Sequence, residues 1–181
     1  MGRRKYRPDP LREIEHLTVD KYAVIQQAVR LGFAGSLDAR WLDVQRARLR
    51  LAKAHLDAAE KLNAAGTKGK IDEIKRGVIS RAYYAMFCAA RAAVSYHLKQ
   101  DVDGHEEVQK RLRQCVPLAG EARDRVIASL HVHRVCRNNA DYSPFYPGLL
   151  GRDARVAITA AKATIRICEL WLPPAAEGGE P

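Results

Sequence analysis

His133, Arg137 and Asp141 follow one another at intervals of four residues. On a continuous helix that spacing lines an imidazole, a guanidinium and a carboxylate along one face. A guanidinium fork matches the oxygens of a phosphate and stays charged at any ordinary pH. An imidazole with a pKa near ~6.5 can take or give a proton at neutral pH. A carboxylate with a pKa near ~3.9 is a weak base, and no acid unless burial raises it. Asn138 and Tyr142 flank the pair, and Arg134 lies one turn before it. These residues are candidates to seat a phosphate and to move a proton beside it. A plainer reading stays open. Arg137 and Asp141 would then form an i, i+4 ion pair that pins a helix end, worth about a few tenths of a kcal/mol if exposed. His133 would be a surface residue.

Other chemistries find less support. His131, His133 and Cys136 are close in sequence, but on one helix their directions diverge by about 200° and 300°, so they do not converge on a metal. Gly66 and Gly69 match neither of the common phosphate-loop patterns, and no G-x-S-x-G nucleophile elbow occurs. Neither a metal nor a cofactor is expected. Cys88, Cys115, Cys136 and Cys168 form no C-x-x-C pair, which fits reduced, half-buried thiols of a cytoplasmic protein. The longest weakly polar stretch, Ala82–Val94, is interrupted by Arg91 and is too short for a membrane span. The basic N-terminus is not followed by the apolar run of a secretory signal.

Lys and Arg number 31 against 21 Asp and Glu, a net charge of +10 that favours a polyanionic partner, most often nucleic acid. Arg3, Arg4, Lys5, Arg7 and Arg12 face only Asp9 over the first twelve residues, as in a basic arm that gains affinity from phosphates without reading sequence. Arg46, Arg50 and Lys53 share one helix face, with Arg48 beside it. A solvated surface is the alternative for both clusters.

Helices must position these groups, because no run alternates apolar and polar residues as a strand would. An extra first helix is expected over 19–31, closed by Gly32 and Gly35. A second spans 38–63, with Leu42, Leu49 and Leu56 seven apart and Val44, Leu51 and Ala58 beside them. A third, rich in Ala, covers 71–99 with Ile79, Tyr83, Met86, Ala90 and Ala93 on its core face. A short fourth begins near Gly104, where Asp103 and Glu106 have capping-box spacing. A fifth runs over 121–139 and stops before Ser143-Pro-Phe-Tyr-Pro-Gly148. The last covers 153–172, with Ile158, Ala161, Ile165, Cys168 and Leu172 inward. The fold class is all-α: an up-and-down bundle of four to five helices at 41–172. Residues 1–40 add a basic arm and the extra helix, and 173–181 form a disordered tail.

Three segments in order carry a family resemblance: Ser80-Arg-Ala-Tyr-Tyr-Ala-Met-Phe87, then Gly104-His-Glu106, then Arg137-Asn-Asn-Ala-Asp-Tyr142. Together they resemble the HEPN domains, in the bacterial and archaeal subgroup marked by S-R-x-Y-Y-A-M-F, a lone His before the next helix, and R-x-x-A-D-Y. The resemblance covers roughly residues 41–172. It implies a helical bundle that forms a homodimer and binds RNA or a nucleotide. Many such domains are metal-independent ribonucleases, and many are toxins or defence effectors restrained by a minimal nucleotidyltransferase. Others only bind. Active members carry R-x(4–6)-H near the dimer seam. Here Asp141 stands four residues after Arg137, and Tyr142, Ser143 and Pro144 fill the positions where that His would fall. Arg48 and Arg50 with His55, Arg91 with His97, and Arg125 with His131 satisfy the bare spacing. In an Arg-rich chain it carries little information, and none sits at the corresponding place.

The resemblance makes Arg137 the cation for a phosphate; Asp141, and His133 through its place on the same stripe, are the candidates for proton transfer. Asn138, Tyr142, Arg134 and Tyr84 would surround a bound strand, and Arg81 either joins them in the cleft or pairs with an acidic neighbour. Tyr83 and Tyr84 are adjacent and cannot both face the core. Tyr83 is expected inside, while Tyr84 either stacks on a base or packs in the core or dimer seam. His105 is either a capping or packing residue or a catalytic one. Tyr142, Phe145 and Tyr146 suit single-stranded RNA, and equally suit anchoring a loop.

Overall fold

The computed structural model describes residue 22, residues 37–65 and residues 72–174. These contain five bundle helices: α1 (Leu37–Ala65), α2 (Asp72–Leu98), α3 (His105–Gln114), α4 (Glu121–Tyr142) and α5 (Leu150–Leu170). A 3-10 turn, Val116–Leu118, links α3 to α4. No strand occurs among the described residues. The basic arm of 1–12, the expected helix 19–31 apart from Tyr22, and residues 175–181 of the expected tail lie outside them.

Contacts at both ends fix the direction of each helix. Lys75, early in α2, donates to the Asn63 side chain late in α1 at 2.8 Å, and Trp41 Nε1, early in α1, donates to the Ser95 carbonyl late in α2 at 3.1 Å. Arg76 meets the Ala140 carbonyl at 2.8 Å, so α4 also runs against α2. Lys162 of α5 pairs with Glu60 of α1 at 2.6 Å, and Lys53 of α1 pairs with Glu169 of α5. The four long helices therefore alternate up and down, and the short α3 crosses between α2 and α4.

α2 is the central helix and packs against all four others. Ala82, Ala85, Ala89, Ala90, Ala92 and Ala93 are wholly buried, on more than one of its faces. Small side chains let neighbouring backbones come close, while Val78, Ile79, Tyr83, Met86 and Val94 fill the space between them. The expected inner faces of α2 and α5 are buried as drawn from the sequence.

α1 keeps most of its expected stripe: Val44 and Leu49 are buried, and Leu42 and Leu56 pack partly buried against the core. Leu51 is the exception, 50% exposed, while Trp41, Arg48, Ala52 and Ala59 add buried positions that the stripe did not include. The basic cluster of α1 is not one free face. Arg48 is buried against Asp101 at 2.8 Å, and Arg46 donates to the carbonyls of Pro173 and Pro174.

The expected capping box at α3 does not form. Gly104 is the N-cap, with no side-chain cap bond, and the Glu106 carboxylate is held instead by Arg134 of α4 at 2.9 Å. α4 starts after Gly120, whose φ of +118° is a backbone conformation that suits glycine. It also runs to Tyr142, three residues past its expected end. The Arg76 guanidinium explains the extension. It donates to the carbonyls of Asn139, Ala140, Ser143 and Pro144 at 2.7–3.3 Å, gathering the orphan acceptors of the last turn. Arg137 to Tyr142 thus stay helical. No helix among the described residues is long and apolar enough to cross a membrane.

Candidate phosphate-binding face

Arg137 extends from the last turns of α4 onto Tyr84 of α2. Its Nη2 donates to the Tyr84 hydroxyl at 2.8 Å, and its Nη1 donates to the Asn138 side-chain oxygen at 3.2 Å. Nε lies 2.6 Å from Asp141 Oδ2, near enough for an ion pair but off the axis of a hydrogen bond. The guanidinium carbon is 5.3 Å from the Tyr84 ring centre and 5.2 Å from that of Tyr142, within cation–π range of both. Its side chain is 14% exposed. Burial works against the charge, and the Tyr84 hydroxyl, the Asp141 carboxylate and Tyr142 outweigh it, raising the guanidinium pKa above its usual value. Ser80 Oγ lies 3.4 Å from Asp141, which holds the carboxylate between α2 and α4.

Tyr84 is the hub of this face. Its ring centre is 5.8 Å from that of His55 on α1 and 6.1 Å from that of His105 on α3. Tyr83 turns the other way, 1% exposed, as the sequence suggests. Burial pushes its phenol up to about 12, so the hydroxyl keeps its proton at neutral pH and meets His105 Nδ1 at 2.9 Å. The His105 ring also packs on Phe87, with centres 4.2 Å apart. Burial first, then Arg134 and Arg137, lower the His105 pKa.

His55 is held by Arg81, whose Nη1 lies 3.3 Å from His55 Nδ1. A guanidinium only donates, so Nδ1 accepts and the single ring proton sits on Nε2. Burial and then the Arg81 charge lower its pKa. Two imidazoles, both favouring the neutral form, therefore stand beside Tyr84, in a field set mainly by Arg81, Arg134 and Arg137.

His133 is placed differently. It is 6% exposed, its Nδ1 has no hydrogen-bond partner, and no hydrogen bond or ring contact joins it to Arg137 among the described residues. The two share a stripe on α4, but His133 is the buried member of it. Burial lowers its pKa, and Asp153 of α5 partly offsets this. The loop aromatics divide. Tyr146 bonds Asp153 at 3.0 Å and anchors the loop, while Phe145 is 86% and Tyr142 72% exposed.

Sequence reasoning set His55 aside and did not single out Arg76. Both act across helices, on partners tens of residues away.

No family model matches the chain, and no curated protein matches it. Among the described residues no group of three His, Cys, Asp or Glu side chains is gathered to hold a metal ion. All four cysteines are free, with Cys115 and Cys168 buried.

The lowered imidazole values link folding to pH. His133, His55 and His105 each resist protonation in the folded chain, chiefly because they are buried. Below pH ~6.5 the unfolded chain binds more protons than the folded one. The stability they contribute is complete above that pH and is lost as the pH falls toward their folded-state values. The urea midpoint is expected to drop between pH 7 and pH 5, and His133→Gln is expected to flatten part of that slope. An unaltered slope in the variant would remove His133 from the linkage.

Proposed function

We propose that this chain is a HEPN-like RNA- or nucleotide-binding protein that works in the cytoplasm as a homodimer, as the toxin-like or effector component of a two-gene toxin–antitoxin or defence system. The carrying observation is the Arg137 guanidinium, 14% exposed in the last turns of α4 and within cation–π range of the Tyr84 and Tyr142 rings. A phosphate can approach that cation while a base stacks on the exposed Tyr142 ring, an arrangement that tolerates any sequence. Arg134 and Arg81 extend the same positive face. The ordered motifs and the net charge of +10 support the same reading.

The face also holds parts for metal-independent ribonuclease chemistry. A base takes the proton of a 2′-hydroxyl, the hydroxyl oxygen attacks phosphorus, a cation steadies the charge that develops, and an acid protonates the departing 5′-oxygen. Arg137 is the cation. His105 and His55 are the imidazoles that this face offers in place of the missing motif His. Asp141 is already committed to Arg137.

A second reading has its own observation: all three Arg137 nitrogens have neighbours within the chain, and Val132 and Val135 on α4 are 54% and 52% exposed. On that reading the bundle is a catalytically inactive module that dimerises or holds a partner such as a minimal nucleotidyltransferase.

Fluorescence polarisation of a labelled single-stranded RNA in EDTA separates the two. Binding is expected, with affinity falling steeply as salt rises, by a log–log slope of about −0.7 for each phosphate contact. Gel analysis of the same samples reads cleavage. No binding of RNA or mononucleotide at low salt would discard the first reading.

A further inference from the structure

An open groove of about 720 Å³ lies between α1 and α2, next to the Arg137 face. Leu51, Ala54 and Ala58 are among the residues of its floor, and His55, Lys61 and Arg81 stand at its rim. No carboxylate lines it among the described residues. Lys61 is already paired with Asp57 at 2.6 Å. Arg81 is exposed, and among the described residues its guanidinium is bonded to an imidazole and to no carboxylate.

An apolar floor beneath an unneutralised guanidinium is complementary to an amphipathic anion, in which a flat ring is joined to a phosphate. The volume is within the range of small-ligand sites, about 300–1,000 Å³. We propose that this groove seats one nucleotide unit of a single-stranded RNA, with its base on the Leu51–Ala54–Ala58 floor and its phosphate on Arg81. The Nε2 proton of His55 is the donor available to that unit, since Nδ1 is taken by Arg81. Arg81 and Tyr84 are one turn apart on α2, and Tyr84 carries Arg137 on its hydroxyl. A strand leaving the groove therefore crosses α2 toward Arg137. The inference rests on the RNA reading of that face and adds a base-binding subsite to it.

Two variants of the full chain test it against a short fluorescein-labelled mixed-sequence RNA. Ala58→Trp fills the groove, and Arg81→Ala removes the cation. Each is expected to weaken binding about tenfold or more, as the loss of one stacked base or one phosphate contact does, with an unchanged circular dichroism spectrum. Arg81 is a surface residue, so its variant decides the matter if Ala58→Trp fails to fold. Wild-type affinity in both variants, beside weakened binding in Arg137→Ala, overturns the groove and leaves the RNA reading standing. If the unmodified chain binds no RNA, that reading falls, and an AMP titration followed by the Leu51 and Ala58 methyl resonances decides the groove alone. Shifts abolished by Arg81→Ala sustain a nucleotide seat, and unmoved signals end it. Dissociation of a dimer by Ala58→Trp, with RNA affinity intact, would make the groove a seam between two copies and overturn the proposal.

Discussion

Asp101→Ala is expected to destabilise the fold by about 3–5 kcal/mol, the range for removing one partner of a buried charge cluster. The Asp101 carboxylate lies 2.8 Å from Arg48 Nη2 on α1 and accepts from Arg91 on α2, from Nη2 at 2.8 and 2.9 Å and from Nε at 3.3 Å. The three side chains are only 14%, 7% and 20% exposed. Without the carboxylate, two guanidinium groups face each other out of water, and neither can lose its proton. Asp101→Asn keeps an acceptor but not the charge and is expected to lose less. Adding Arg48→Met to Asp101→Ala should recover part of the loss, because it removes one of the two guanidinium groups that the carboxylate holds together. Urea unfolding followed by circular dichroism measures all three. Asp57→Ala, which breaks an exposed pair with Lys61, is the control and should move stability by less than about 1 kcal/mol. An Asp101→Ala midpoint equal to that of the control would refute the role given to this cluster.

The same cluster shows where sequence reading stopped. Arg48 looks like one more cation on a basic helix face, and nothing local marks it as buried. Its partner lies 53 residues away in the α2–α3 connection. Helix existence was legible because apolar periodicity and the Pro and Gly breaks are local signals, so each of the five described helices begins or ends within two residues of an expected position. The end of α4 was not legible. The Pro-rich segment after it suggests an early stop, but Arg76 from another helix satisfies the last carbonyls. The face around Arg137 was half legible. Spacing along α4 set Arg137 and Asp141 together correctly and grouped His133 with them. Only the packing of α5 shows that His133 is an inner residue. His55 was invisible for the opposite reason. Its relation to Tyr84 is made by the docking of α1 on α2, and no spacing within either helix encodes it.

Arg137→Ala is expected to weaken single-stranded RNA binding by about ten- to a hundredfold, the cost of losing a charge-assisted contact to phosphate. It should also lower the salt slope by roughly one phosphate contact. Some stability, about 1–3 kcal/mol, should be lost with the side chain, since the ion pair with Asp141 and the bond to Tyr84 on α2 are mostly out of water, so binding is compared where circular dichroism shows the variant folded. Arg137→Lys retains the charge but loses the fork that meets Tyr84 and Asp141 together, so it should recover only part of the affinity. Asp141→Asn gives the sharper result because its sign is opposite. The carboxylate competes with an incoming phosphate for the same guanidinium, and removing its charge should tighten RNA binding. If Asp141 also takes part in proton transfer, cleavage falls while binding rises, and the two roles separate in one variant. Weaker binding in Asp141→Asn would mean that the carboxylate positions Arg137 rather than masks it. Unchanged binding in both Arg137→Ala and Asp141→Asn would remove this pair from the RNA surface and leave it as a clasp between α2 and α4.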